Sequence, residues 1–311
     1  MNGIGSQVAL QGWIRLRVFK AADRRIVHDT GWFRNLITNG GLNAIATQAD
    51  VMTHYHVGNS STAPTENDTW VGSWVATTSQ TINEVTGAQG TAPYYGFRRQ
   101  TKQFPPGAAA GNLSEVAVGW SATTGTAFSH ELIRDGAGNP TTITVLADEF
   151  LDFTYELRYI VPVADVVGTT SISGVPYNFT TRALSATGSF WWGLFVGKQF
   201  VQSITSETEH RAYTGDLAAI TASQPLGSDA IGTLSVTAGG YINDSHFRNF
   251  TVSADPTQWN VSGGIIRSLV LSCRGNRWQT SFAKVSDGTG IGKTAGNTLT
   301  INWRVSWARA A

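Results

Sequence analysis

FLDFTYELRYIV, residues 150–161, alternates without a break. Leu151, Phe153, Tyr155, Leu157, Tyr159 and Val161 fall on one side, and Asp152, Thr154, Glu156 and Arg158 on the other. A period of two is a β-strand with one dry face and one wet face. The same pattern sets Ile14, Leu16 and Val18 against Trp13, Arg15 and Arg17. It returns near the carboxyl end, where Leu299, Ile301, Trp303, Val305 and Trp307 alternate with Thr300, Asn302, Arg304, Ser306 and Ala308.

Composition agrees with strands. Thr, Ser, Gly, Val and aromatic residues dominate, whereas Leu, Glu and Lys are scarce, a mix that favours sheet over helix. The chain has 311 residues, 34 of them Gly and 11 Trp. Charged residues make up 14 %, against about 25 % in an ordinary soluble domain. A net charge of +1 excludes a strongly basic nucleic-acid binder and an acidic disordered chain. One cysteine, Cys273, excludes an intrachain disulfide framework and a cysteine-based zinc cluster. No apolar run reaches the length of a membrane span. The start, MNGIGSQVALQGWIRLRV, lacks the basic and long apolar segments of a signal peptide, so synthesis in a cytoplasm is expected.

The expected fold is all-β: two tandem antiparallel β-sandwich-like domains with one or two short helices, residues 1–165 and 166–311. The break is placed at residues 165–168, after the long aromatic strand and before a Thr/Ser/Gly-rich series. Each half closes on a long alternating strand with Arg on its polar face, as a degenerate duplication would. Residues 41–48 (GLNAIATQ) form the expected helix, and residues 60–69 hold at most one helical turn. DGAGNP, residues 135–140, is expected to join strands 129–134 and 141–146 as a hairpin. Sheets of this kind have edge strands that need covering, and an oligomer covers them.

Several clusters invite a chemical reading, each beside a plainer one. DGTGIGKT, from Asp287 to Thr294, looks like a phosphate loop, but Asp287 stands where glycine is required and no helix follows. The plain reading is a glycine-rich hairpin with Lys293 as a surface charge or subunit contact. His54 and His56 share a strand face, which suits a metal, yet Asp50 is the nearest carboxylate on that phase and a third ligand is missing. Polar-face or interface imidazoles are the expectation there, and His28, His130, His210 and His246 are scattered singly. Around Ser121 the second glycine of a nucleophile elbow is absent. Cys273 lies in an apolar strand and reads as a small buried hydrophobe. Asp148, Glu149, Asp152 and Glu156 are close in sequence, but Asp152 and Glu156 fall on a wet face, where carboxylates usually only solvate. Trp191 and Trp192, with Phe190 and Phe195, form the densest aromatic cluster, one Trp inward and one outward. Trp70 and Trp74 have the spacing of one helical turn. Arg24–Arg25 and Arg98–Arg99 read as isolated pairs in loops, so no basic patch is expected. No catalytic, cofactor-binding or metal residue is assigned, and no enzyme activity or cofactor is expected.

Four stretches resemble virion structural proteins of tailed bacteriophages: NLITNGGLNAIA (35–46), VGNSSTAPTENDT (57–69), residues 113–162 with SEVAVGWS and then FSHELIRDGAGNPTTITVLADEFLDFTYELRYIVP, and NWRVSWAR (302–309). The resemblance implies a structural part of the particle, a neck, collar or tail-associated protein. Its partners would be copies of itself and other virion proteins of the head–tail connector, tail or capsid. It implies no membrane, no specific nucleic acid and no catalytic residues, with synthesis in the host bacterial cytoplasm and residence in the virion. The alternative is a receptor- or carbohydrate-binding appendage, a fibre or spike, which the tryptophan content favours. A wall-degrading hydrolase ranks third.

Overall fold

A computed structural model describes residues 4–186, 196, 210–227, 229–231, 235–273 and 276–310. The amino-terminal strand, Ile4–Lys20, is its seam. Every even-numbered residue from Ile4 to Val18 is buried. At about 3.4 Å per residue such a strand is roughly 55 Å long, enough to run through two packed layers. The periodicity alone shows this strand only from Gly12 onward. Ser6 and Gly12 interrupt the apolar series, and each has a specific reason. Ser6 Oγ accepts a 2.7 Å hydrogen bond from Trp303 Nε1. A Cβ at Gly12 would run into the Asn35 and Tyr155 side chains, so a larger residue would have to displace them.

One edge of this strand pairs antiparallel with Glu149–Ile160, from Ala9 opposite Ile160 to Lys20 opposite Glu149. The other edge is shared out in turn. Residues 4–10 pair in parallel with Leu299–Arg309, Ile4 lying opposite Trp303. Residues 12–14 pair with Phe33–Ile37, and residues 17–19 with Ile26–Asp29. The two strands that close the two halves of the sequence therefore flank the same amino-terminal strand.

Glu149–Ile160 continues the sheet through Tyr95–Phe104 to Thr81–Gln89. The other arm runs through Phe33–Ile37, Ala127–Leu132, Glu115–Gly119 and His54–Gly58 to Trp74–Thr78. The sheet curls until the arms face each other. Tyr55 packs 4.7 Å from Phe153, and Phe128 meets Tyr155 edge-on at 6.4 Å. A six-stranded sheet, which includes Val175–Leu184 and Asn276–Lys284, packs against Leu299–Arg309. There Trp278 meets Trp303 edge-on at 5.6 Å. The fold is all-β. Among the described residues it has one α-helix, Asn39–Thr47, and one short 3-10 turn, Ser262–Gly264.

The helix starts two residues earlier than its apolar pattern suggests, because Thr38 caps it. Thr38 Oγ1 accepts from Gly41 N at 2.8 Å. Gly41 is needed where it sits, since a Cβ would lie 2.0 Å from the Phe128 carbonyl oxygen. Residues 60–69 contain a turn and no helix. The 135–140 loop does reverse the chain, with an isolated bridge between Arg134 and Pro140. However, the strand that follows, Ile143–Val145, pairs with Gly111–Leu113 and not with Ala127–Leu132. Local turn chemistry set the reversal, and a distant strand took the partner.

The sequence break near residue 165 falls where the chain leaves Glu149–Ile160 and enters the second sheet at Val166–Ile172. The last strand then returns to the first. Residues 1–165 expressed alone should lose amide protection at residues 4–8, whose ladder partner is the carboxy-terminal strand, and unfold at lower denaturant than the full chain. Hydrogen exchange by mass spectrometry measures this. Equal protection in fragment and full chain would contradict it.

Candidate functional site

Two arrangements of polar side chains stand out, one buried and one open. The buried one joins the motifs that looked unrelated along the sequence. His130, on Ala127–Leu132, sits between two carboxylates: Nδ1 is 2.7 Å from Asp68 Oδ2, and Nε2 is 2.9 Å from Glu115 Oε2. Glu115, fully buried at the start of its strand, also accepts backbone N–H bonds from Ser60, Gly72 and Ser73 at 2.7–3.0 Å. The loop at residues 59–73 is thereby clamped to the sheet. Asn39, in the first turn of the helix, bonds the same loop through Glu66 O and Asn67. Arg309, at the end of the terminal strand, reaches Asn39 and Glu66.

Burial pulls the His130 imidazole down, but the bonds to Glu115 and Asp68 outweigh it and its pKa is raised. Burial pushes the Glu115 carboxyl up, and His130 with the three backbone N–H groups brings it below its usual range. Asp68 is likewise lowered, through Thr65 and His130 against burial. The cluster is an imidazolium between two carboxylates. Its groups are spent on one another, on Thr65 and on the backbone of the loop that they hold.

The open arrangement lies on the outer face of the sheet. Cross-strand pairing stacks side chains there in rows: Trp13, Glu156 and Arg99; Arg15, Thr154, Thr101 and Asn83; Arg17, Asp152 and Gln103. Glu156 is only 1 % exposed and anchors two arginines, accepting from Arg99 Nε and Arg158 Nε at 2.6 Å. Arg158 lies 5.0 Å from the centre of the Trp13 ring and 4.4 Å from that of Tyr95. Trp32, on the turn that follows Ile26–Asp29, reaches over Arg99, whose guanidinium carbon is 5.2 Å from its ring centre. Between Trp32 and Ile82 runs a groove of about 320 Å³. Arg15, Arg17, Asn83, Arg99, Asp152, Thr101 and Thr154 complete it, the two threonine hydroxyls 2.9 Å apart. Arg15 holds Asp29 in a fork of 2.6 and 2.9 Å. Burial pushes the Asp152 carboxyl up, against the pull of Gln103 and of Arg24 and Arg17.

The expectation that Arg98–Arg99 is an isolated pair in a loop is corrected. Arg98 and Arg99 lie on a strand, and they point to opposite faces. Arg98 is buried between Asp50 and Glu84, at 2.8 and 3.1 Å. Arg99 joins Arg15 and Arg17 outside. Alternation placed Arg15 and Arg17 on the wet face. Nothing local announced Trp32, which reaches the groove from a loop.

The remaining candidates separate as follows. His54 and His56 do share a face, their rings nearly parallel and 6.5 Å apart. His56 is buried, however, and not on an open polar face: Nδ1 is 2.8 Å from Thr77 Oγ1, and Trp70 covers the ring at 4.1 Å. Burial, with a smaller effect from His54, lowers its pKa to about 3. Asp50 is used by Arg98. Among the described residues no group of three or more His, Cys, Asp or Glu side chains is placed to hold a metal. Trp70 and Trp74 do not share a helical turn, for Trp74 begins an edge strand. Lys293 is not a surface charge. It is 0 % exposed, and Nζ donates to Asn260 Oδ1 and the Thr294 carbonyl at 3.0 Å. Asp287 folds the glycine loop by accepting from Thr289 N at 2.9 Å. Glu149 is buried beside Lys20 at 3.0 Å, and Asp148 is exposed. Cys273 ends a strand, and Trp191, Trp192, Phe190 and Phe195 lie outside the described residues.

No protein-family model, no curated protein and no solved structure matches this chain.

The clamp has a definite pH dependence. His130 contributes stability that is fully present below its unfolded pKa of about 6.5 and lost as pH rises through its raised folded value. Asp68 and Glu115 contribute stability that is present above their unfolded values of about 4 and lost as pH falls through their lowered ones. The clamp is therefore strongest at about pH 5–6. His130→Gln should cost about 3 kcal/mol there, with a smaller loss at pH 9. Urea unfolding of both proteins at the two pH values checks this, and a loss independent of pH would refute the charged clamp.

Proposed function

We propose that this chain is a structural component of a tailed-phage particle, a neck, collar or tail-associated protein that assembles with copies of itself. The observation that carries the assembly is the strand Thr81–Gln89. Its inner edge pairs with Tyr95–Phe104, and among the described residues no strand pairs with its outer edge. An open edge is a template for another chain, and monomeric proteins blunt it with lysine, proline or a short strand. This edge has nine residues and contains no Lys, Arg or Pro. Its one charge, Glu84, is tied to Arg98 and Gln100. Ile82 and Val85 are 46 % and 42 % exposed along it. A sister strand laid against this edge would satisfy its backbone groups and cover Val85.

The placement in a phage particle is supported by the sequence resemblance. Each resembling stretch contributes to the clamp or to its supports: Asn39 from the first, Asp68 from the second, Glu115 and His130 from the third and Arg309 from the last. These motifs specify a fold and no reaction, which agrees with a structural part. The outer-face groove favours a second reading, a receptor- or carbohydrate-binding appendage.

Light scattering on the purified protein should give a closed homomer, on the order of three to twelve copies. Val85→Lys should yield a monomer with an unchanged circular dichroism spectrum. A monomeric wild type would remove the assembly. Peptide mapping of purified particles should find the chain, and its absence would remove the virion placement.

A further inference from the structure

The groove between Trp32 and Ile82 combines two kinds of surface. Trp32, 38 % exposed, and Ile82 supply apolar walls. Thr101, Thr154, Asn83 and Asp152 supply hydroxyl, amide and carboxyl groups along the floor and rim. A ligand that matches both needs a C–H face to lie on an indole and a rim of hydroxyls to meet polar groups. A pyranose ring has that form. The volume, about 320 Å³, lies at the small end of ligand pockets, about 300–1,000 Å³.

The charges narrow the class. Arg15 occupies both oxygens of Asp29, and Arg99 is bonded to Glu156. Arg17 reaches Asp29 at 3.5 Å, on the oxygen that Arg15 already holds at 2.6 Å. One carboxylate thus faces two guanidinium groups. Asp152, directly across from Arg17 in the sheet, accepts from Gln103 Nε2 at 2.8 Å. Arg15 and Arg17 thus share Asp29, as Arg99 and Arg158 share Glu156, and a guanidinium is the side chain best shaped to take a further carboxylate.

We propose that this groove binds a carboxylate-bearing pyranose, with the sugar ring on Trp32 and its carboxylate on Arg17. The site goes beyond the assembly reading and is tested separately from it, since binding is read here and mass is read there. The probes are sodium D-glucuronate, sodium D-galacturonate and N-acetylneuraminate, with methyl α-D-glucoside and sodium acetate as references, followed by tryptophan fluorescence and ligand-observed NMR on the full chain. At least one acidic sugar should bind at least tenfold more tightly than the glucoside, and acetate should not compete at equal concentration. Arg17→Gln should weaken that acidic sugar at least tenfold and leave the glucoside unchanged. Trp32→Ala should abolish binding of both. Both side chains are partly exposed, and circular dichroism confirms that each variant is folded. The proposal is overturned if none of the three acidic sugars binds, if acetate competes as well as the sugar, or if Arg17→Gln binds it like the wild type.

Discussion

The parallel pairing of residues 4–10 with Leu299–Arg309 is the constraint on which the molecule depends. Parallel neighbours need a crossover connection, usually a single helix. Here the crossover is nearly the whole chain. Closing a loop of roughly 290 residues in place of about 10 costs about 3 kcal/mol more. Tertiary burial offsets that cost. Trp303 and Trp307 are buried where the ends meet, and their indole N–H groups donate at 2.7 Å to Ser6 Oγ and to the Leu42 carbonyl. Each is thus a large apolar surface with its polar atom satisfied. A fold that rests on contacts between its two ends has a high contact order and is expected to fold slowly.

With the seam in place, the remaining elements sort themselves by face. The inner face of Glu149–Ile160 carries Phe153, Tyr155 and Leu157 into the core. Its outer face carries Asp152, Thr154, Glu156 and Arg158 into the cross-strand ladder. The neighbouring strand, Tyr95–Phe104, departs from this division. Its inward positions include Arg98, Gln100 and Lys102, all buried. The Lys102 ammonium bonds Ser79 O and Thr81 Oγ1 at 3.2 and 2.6 Å, and burial lowers its pKa to about 8. Breaking such a buried network strands a charge, and that cost is larger than any gain from forming it.

The clamp and the groove differ in what their residues are for. His130, Asp68 and Glu115 satisfy one another and three backbone N–H groups, so their polar chemistry is spent within the fold. The groove sets guanidinium and hydroxyl groups beside an exposed indole. Buried groups whose capacity is used hold structure, and spare capacity at a concave surface is what the ligand we propose would take up.

The alternation of 150–161, 12–18 and 299–308 was enough to establish an all-β chain and to say which side chains of those strands face water. Side-chain direction in a strand is local, set by the backbone itself. For the same reason Arg15 and Arg17 were legible as neighbours on a wet face, and His54 and His56 as a pair. Partners were not legible. Nothing near Ile143–Val145 states that it pairs with Gly111–Leu113, and nothing near residue 4 states that residue 303 lies opposite. The apolar spacing of Tyr95–Phe104 could not disclose a strand whose inner face is polar, because the acids that neutralise Arg98 come from residues 50 and 84. Trp32 entered the groove by way of a loop, and His130 found its carboxylates 62 and 15 residues away. Each of these is a contact between distant segments, decided by the closing of the sheet and the total energy of the packed molecule.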